Sequence, residues 1–449
     1  MRSTAIALFL LLAAAGSALA DENHITVYNK DLALIKQVRT LELPKEGPLA
    51  FTDVAARLIP TSVHLRSISG EGNLTVLEQN FAYDLVSSEK ILDKYIDHPV
   101  EVVRENGELT RGILLSRQGR ALVLKTEGGI RLLSWNDKTT INVKALPEGL
   151  ITRPTLLWEL SGGTGKRETV EVSYLSSGMD WNAEYVGVLS ADGTRLNLDA
   201  WVSVNNRSGM TFTDARLKLV AGEVGRAPEH GRMRLVEMAQ EPMMAKRAPK
   251  FEERALFEYH IYELDRPTTL TNNQIKQLSL FAPTEVVTEK AFVYNAAMDP
   301  KRITARLLFD NKAASGLGKP LPAGIFRIYQ KDRESLEFVG EDRIDHSPRN
   351  KQVKITLGKA FDLTAERKVV RQEKVSSRAQ RQTIEIVLSN AKPEEEVTVT
   401  VEEEIHCGEW KIEEANFPHT VEEVTRATFR VPVPADGKST LRYTRLCTW

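Results

Sequence analysis

Alternation of apolar and polar residues at every second position runs through most of this chain and constrains its fold more than any other feature. Between 196 and 204 the even positions are apolar, and polar side chains and Trp201 lie between them. The same alternation recurs at 170–174 and at 397–401. A period of two places neighbouring side chains on opposite faces of a strand. The sequence therefore predicts half-buried strands and an all-β fold with little helix.

The length of the chain predicts several domains, because 449 residues exceed what one hydrophobic core usually holds. Lysine and arginine together number 60, and aspartate and glutamate number 61. The charges are balanced, so the composition gives no indication that the protein binds nucleic acid. We predict a multi-domain protein that combines β-sandwich modules with one small barrel of the SH3 or Sm type.

The predicted barrel rests on about five short strands between 99 and 144, with a strong hairpin signal at Asn106-Gly107. A sheet of such short strands hides its edges most readily by curling. A short helix is predicted ahead of it at 88–96, with Ser88 as its cap. Strands of similar character lie on both sides of this module, which suggests that it is inserted into a larger sheet domain.

Turn signals and changes in composition divide the chain into five predicted segments. The highly charged residues 364–382 predict an exposed strand or a connecting segment. Methionines mixed with prolines and basic residues predict a mobile loop at 225–256. In chain order the segments are a signal peptide at 1–20, a β segment at 21–87, the barrel-like module at 88–148, a central β domain at 149–382 and an immunoglobulin-like β-sandwich at 383–449.

The N-terminal twenty residues have the three parts of a secretory signal peptide. Arg2 supplies a basic tip, 5–15 are apolar, and the small residues Ala18 and Ala20 precede a cleavage point. The apolar stretch is shorter than the roughly 20 residues that span a membrane, and no later stretch is longer. A short buried helix is the alternative. We expect cleavage after Ala20, a mature N-terminus at Asp21, and a periplasmic or secreted protein without a transmembrane segment.

The two cysteines, Cys407 and Cys447, lie at the ends of predicted strands near the C-terminus. Export brings a chain into an oxidising compartment, where disulfides form and persist. We predict a disulfide between them, which would tie the last strand to its domain. Two free buried thiols are the alternative.

Several motifs in the second half of the chain resemble those of a bacterial family, the domain of unknown function 4139 family, whose domain also forms the C-terminal part of mucoidy-inhibitor-like proteins. The resemblance covers about 152–449 and implies a short exported member without the long coiled coil of those proteins, since no sustained heptads occur here. It implies no activity and no catalytic residues. The motifs are Ser-Ser-Gly-Met-Asp-Trp-Asn-Ala-Glu-Tyr at 176–185, Leu-Lys-Leu-Val-Ala-Gly-Glu at 217–223, Phe-Glu-Tyr-His-Ile-Tyr at 257–262, Leu-Pro-Ala-Gly at 321–324 and Phe-Val-Gly-Glu-Asp at 338–342.

Patterns that carry chemistry are weak in this sequence. The eight histidines show no spacing suited to a helical metal site. Residues 161–167 look briefly like a phosphate loop, but Leu160 replaces the upstream glycine and Arg167 replaces the serine or threonine, so a hairpin turn is predicted. The methionines between 233 and 244 could bind copper(I), although a non-binding linker fits their wide spacing better.

Three aromatic residues are candidates for a binding surface. Trp181, Tyr185 and Trp201 could form a sugar-stacking platform, although packing in the core or on a sheet face is the favoured interpretation. Trp201 lies on the polar side of its strand and could cover a domain interface. The many aspartates and glutamates could also supply a carboxylate pair for glycoside hydrolysis.

From these observations we assign no catalytic residue, cofactor or metal ligand. The sequence favours a non-enzymatic envelope protein that binds or scaffolds another envelope protein or a glycan. The alternative is a hydrolase of envelope polysaccharide or peptide, whose carboxylates only the fold brings together. The sequence leaves the oligomeric state open.

The export hypothesis predicts that the protein isolated from cells begins at Asp21, which N-terminal sequencing and intact mass measure directly. The double variant Ala18→Arg/Ala20→Arg should keep its first twenty residues, because signal peptides are cut after small residues. A protein that retains Met1 in cells, with the unmodified sequence, would contradict the prediction.

Overall fold

The computed structural model describes residues 22–69, 74–84, 87–145, 147, 150–222, 251–256 and 259–449. These residues form thirty strands in several sheets and one short α-helix, α1, at Ser88–Lys94. The predicted all-β, multi-domain fold with little helix is confirmed. No helix in the described part of the chain has the length and hydrophobicity needed to cross a lipid bilayer. The predicted signal peptide, 1–20, lies outside the described residues.

The strands follow one another along the chain with these bounds: β1 Glu22–Tyr28, β2 Ala33–Glu42, β3 Glu46–Thr52, β4 His64–Ser67, β5 Thr75–Ala82, β6 Pro99–Val103, β7 Leu109–Gln118, β8 Ala121–Thr126, β9 Gly129–Ser134, β10 Thr140–Asn142, β11 Thr155–Ser161, β12 Arg167–Ser176, β13 Met179–Leu189, β14 Arg195–Asn206, β15 Phe212–Ala221, β16 Phe251–Leu256, β17 Tyr259–Leu264, β18 Thr268–Leu270, β19 Gln274–Val287, β20 Glu289–Tyr294, β21 Arg302–Asp310, β22 Gly324–Asp332, β23 Ser335–Ile344, β24 Gln352–Ser376, β25 Ala379–Asn390, β26 Val397–Glu404, β27 Glu409–Ala415, β28 His419–Glu423, β29 Arg426–Val433 and β30 Gly437–Thr448.

Three sheets share the largest hydrophobic core. They have the strand orders β16-β17-β15-β1-β2-β12-β4 (with β18 beside β15), β3-β11-β5 and β19-β14-β13-β22-β23. The alternation at 196–204 forms β14, where Leu196, Leu198 and Val202 are fully buried. The parallel pairing of β1 with β15 joins residues 24–28 to residues almost two hundred positions later. The sheet that contains β1 can therefore be completed only after the chain has been synthesised as far as β15.

The five-stranded module consists of α1 and β6–β10, with the strand order β10-β6-β7-β8-β9. It has its own small core, which includes Leu92, Leu114 and Leu124. The chain leaves the large domain after β5 and returns in β11, and these two strands pair with each other. Within the described residues β9 and β10 are unpaired edges, so the closed barrel stays a prediction. The cap of α1 is Ser87, not Ser88, because Ser87 Oγ accepts the hydrogen bond from the backbone N–H of Lys90 at 3.2 Å.

The second large core belongs to a nine-stranded sheet, β27-β30-β25-β24-β21-β20-β26-β29-β28. The predicted sandwich at 383–449 is therefore too short, because Phe292, Ile303 and Leu363 from earlier strands belong to the same core. Strand β24 explains the difference. Its first half pairs with β21 as far as Thr364, and its second half pairs with β25. The charged segment predicted at 364–382 forms the end of this strand, the turn at 377–378 and the first residues of β25.

The predicted loop at 225–256 differs from the structure at its end. Residues 251–256 form β16 and pair with β17, so the polypeptide has returned to the sheet by Phe251. The rest of that segment, including its four methionines, lies outside the described residues.

Two interactions link separate segments of the nine-stranded sheet. A disulfide joins Cys407 to Cys447 of β30, with a Cα–Cα distance of 5.9 Å. In the same core Arg367 donates to both carboxylate oxygens of Glu403 at 2.9–3.2 Å, and the Tyr443 hydroxyl donates to the same carboxylate. Burial, followed by the Glu403 carboxylate, raises the pKa of Tyr443 well above its usual value. Each buried polar group here has a partner, which makes the cluster a structural clamp.

The disulfide closes a loop of 40 residues, so its removal should lower the free energy of unfolding of this sheet by about 3–4 kcal/mol. We expect this loss in denaturant titrations of the double variant Cys407→Ser/Cys447→Ser. The unmodified protein, once reduced, should match the variant. Equal stability of the oxidised protein and the variant would contradict the prediction.

Candidate functional site

The aromatic candidates do not form a sugar-binding surface. Trp181 and Tyr185 are fully buried. The Trp181 indole N–H donates to the Val220 carbonyl at 3.2 Å, and the Tyr185 hydroxyl donates to the Pro322 carbonyl at 2.8 Å. Burial raises the pKa of Tyr185 well above its ordinary value. Both residues are core residues. Trp201 is half-buried on the other face of β14, and its role at a domain interface stays a prediction.

The phosphate-loop candidate is a connection between two sheets. It is not the predicted hairpin, because β11 and β12 belong to different sheets. The buried Glu168 carboxylate accepts hydrogen bonds from Ser67 Oγ, from the Thr164 hydroxyl, and from the Thr164 backbone N–H at 3.2 Å. The bonds from Ser67 and Thr164 lower the pKa of Glu168. A carboxylate thus occupies donors that a phosphate loop would offer to its ligand.

Buried carboxylates are committed to structural contacts. Glu168 holds the connection just described, and Glu403 is bound by Arg367 and Tyr443 in the other large core. Within the described ranges, no group of three or more histidine, cysteine, aspartate or glutamate side chains could hold a metal ion. The methionines proposed for copper(I) lie outside those ranges.

A cleft of about 720 Å³ opens on the five-stranded module. Its volume falls in the range of ligand-binding clefts. Gly112 lies close against β8, because a Cβ atom there would lie 2.7 Å from the Lys125 carbonyl oxygen. The cleft is lined by Pro99, Val100, Glu101, Arg111, Gly112, Ile113, Lys125, Thr126, Glu127, Asn142, Val143 and Lys144.

The rim of the cleft carries charges of both signs. Arg111 and Glu101 pair with each other across β6 and β7 at 2.6 Å. Lys125, Glu127 and Lys144 are exposed and form no ion pair with any described residue. Two cations and one anion are therefore available to a ligand above an apolar floor. None of the lining side chains is aromatic, whereas sugar-binding sites commonly use an aromatic stacking surface.

The outer face of the module, which we define as the face opposite its core, continues the cleft floor to the edge strand β9. Cross-strand pairing aligns Pro99, Ile113, Lys125 and Ile130 in one row. In the next row Val123 lies beside Leu132. Ile130 and Leu132 are 67% and 77% exposed. Contiguous exposed apolar side chains of this kind are typical of interaction surfaces.

This surface was not predicted from the sequence. One signal was available at 130–133, where Ile130 and Leu132 point to one face of the strand and Leu133 to the other. A strand that is apolar on both faces needs cover on both faces. The cleft itself left no local signal, because it is built by residues from four strands.

Comparison with known proteins identifies one family. Residues 170–439 match the model of a family described as a domain of unknown function (DUF4139). The matched residues lie within β12–β30, so the five-stranded module precedes them. No curated protein matches the chain.

The contacts of Glu168 predict a pH-dependent contribution to stability. Because its pKa is lowered, the contribution is complete above the ordinary glutamate value of 4.5 and is lost as the pH falls below it. Glu168→Gln should lower the free energy of unfolding at neutral pH by about 1–3 kcal/mol. The variant should also weaken the acid dependence, as thermal unfolding across pH would show. The exposed control Glu159→Gln should have little effect, and equal effects of both variants would contradict the prediction.

Proposed function

The chain belongs to the DUF4139 family, a domain of unknown function, and we propose that it is an exported, non-enzymatic binding protein of the bacterial envelope. Its binding site is the cleft of the five-stranded module. The single observation that carries this proposal is the cleft of about 720 Å³, with its apolar floor and charged rim. The signal-peptide pattern at 1–20 supports the envelope location.

The chemistry of the cleft favours an extended segment of another envelope protein. Ile113 and Pro99 provide an apolar floor for side chains of such a segment. Lys125 and Lys144 stand on the rim without ion-pair partners in the described residues, and they can bind a carboxylate of the ligand. We therefore propose a ligand segment with apolar residues next to an acidic one.

A glycan fits this cleft less well, because no aromatic side chain among its lining residues can stack on a sugar ring. A hydrolase would need two carboxyl groups aimed at one bond. The lining contains Glu101 and Glu127, and Glu101 is already paired with Arg111 at 2.6 Å. These features support the binding proposal over the hydrolase alternative.

The position of the module also supports a separate binding role. The chain leaves one sheet in β5, builds the module, and returns in the neighbouring strand β11. The large domain can therefore form its own sheets around this excursion. A change in the cleft should then alter binding without disturbing the packing of the family domain.

Photocrosslinking in cells tests the proposal. A photoreactive amino acid in place of Asn142, on the β10 side of the cleft, should give one discrete adduct with another envelope protein. Adding Ile113→Glu should remove at least about nine-tenths of that adduct, because a charge on the apolar floor costs binding free energy of more than 1.4 kcal/mol. Mass spectrometry of the adduct identifies the partner.

Leu77→Glu is the matched control, because Leu77 is 62% exposed on β5 in a different sheet. This variant should leave the adduct unchanged, and both variants should keep the melting temperature of the parent protein. Absence of an adduct at position 142, or equal loss with both variants, would contradict the proposed function.

A further inference from the structure

Strand β9 is an edge that the protein leaves open to pairing. It ends its sheet, and its backbone pairs only with β8 among the described residues. Its exposed side chains include Ile130 and Leu132, and its only charge is Arg131. An unpaired apolar edge of this kind is a template for another strand.

Two other edge strands of the protein, β3 and β27, carry features that disfavour such pairing. The edge strand β3 contains Pro48, which lacks the N–H that a partner strand would need. The edge strand β27 exposes Lys411, Glu413 and Glu414. Charged side chains of this kind disfavour the addition of a strand at an edge. Strand β9 has no acidic residue and only one basic residue, so its charge pattern tolerates a second copy of itself.

We propose that β9 pairs antiparallel with β9 of a second copy of this chain, about a two-fold axis through Leu132. A two-fold axis perpendicular to the sheet keeps each side chain on the same face, and directly opposed residues of two strands share a face. The axis must therefore pass through a residue that pairs with its own copy. Within Gly129–Ser134, only axes at positions 131 and 132 let five residues pair. An axis at Arg131 places two like charges opposite each other. An axis at Leu132 places Leu132 opposite its copy and Arg131 opposite Leu133.

This register suits the side chains that surround the strand. Arg131 is held in its own chain by Glu108 at 3.1 Å and by Thr110 at 3.0 Å, so it is not aimed at the free edge. Pairing opposes Ile130 to Ser134 of the copy on the outer face. The two sheets become one of ten strands, and both clefts open on the same face. The dimer thus presents two copies of the proposed binding site.

Sedimentation of the mature chain tests the dimer. We expect a concentration-dependent dimer, and Leu132→Lys should raise its dissociation constant at least about 100-fold, because two like charges then meet on the axis. Leu77→Lys is the exposed control and should leave the dimer unchanged. Circular dichroism and melting temperatures verify that both variants fold. A parent protein that is monomeric at every concentration would overturn the proposal. Pairing of β9 with a strand of a different protein would overturn it as well.

Cysteine substitutions test the register. Leu132→Cys should crosslink to its own copy on oxidation, since directly opposed residues lie within the Cα distance of a disulfide. Ile130→Cys should not crosslink alone, but it should do so when mixed with Ser134→Cys. If the single variant Ile130→Cys crosslinks to its own copy and the single variant Leu132→Cys does not, the proposed position of the axis is wrong. If the parent protein is a monomer and still gives adducts at position 142, the dimer is overturned and the proposed function stands. If the parent protein is a dimer but gives no adduct at position 142, the dimer stands and the proposed function is overturned.

Discussion

The main constraint on this protein is that the backbone polar groups of each strand need partners on both sides, and every open sheet ends in two strands that lack one. Some of the described edges are blunted. Pro48 interrupts the edge of β3, and residues 366–376 of β24 combine charges with two register shifts beyond their pairing with β21. Strand β9 keeps an apolar edge without these features. Its exposed apolar residues favour the addition of a second strand, and this preference motivates the proposed dimer.

The alternation of residues allowed the strands to be predicted, because the period of two is a local property of the backbone. Strand β14 follows the pattern at 196–204 residue by residue. The boundary at 383 could not be predicted, because it depends on whether β24 pairs with β21 as well as with β25. Hydrogen bonds between distant strands leave no local signature. For the same reason the connection at 161–166 looked like a hairpin, although its two flanking strands belong to different sheets.

The candidate site was even less predictable. The favoured interpretation of Trp181 and Tyr185 as packed residues agrees with their complete burial, since large aromatic side chains gain most from leaving water. The cleft instead combines Ile113 and Lys125 with residues of two further strands. At Gly112 strand β8 approaches too closely for a Cβ atom, which would lie 2.7 Å from the Lys125 carbonyl oxygen. A surface built from several strands depends on the whole module and not on any one motif.

Amide hydrogen exchange of the mature protein tests the central claim, that the open edge of β9 is covered by a second copy. At high concentration we expect the amides of residues 129–134 to exchange as slowly as those of the interior strand β8, and to exchange faster on dilution. If they exchange at every concentration as fast as those of 366–376, which among the described residues pair only with β25, then β9 is uncovered and the claim is wrong.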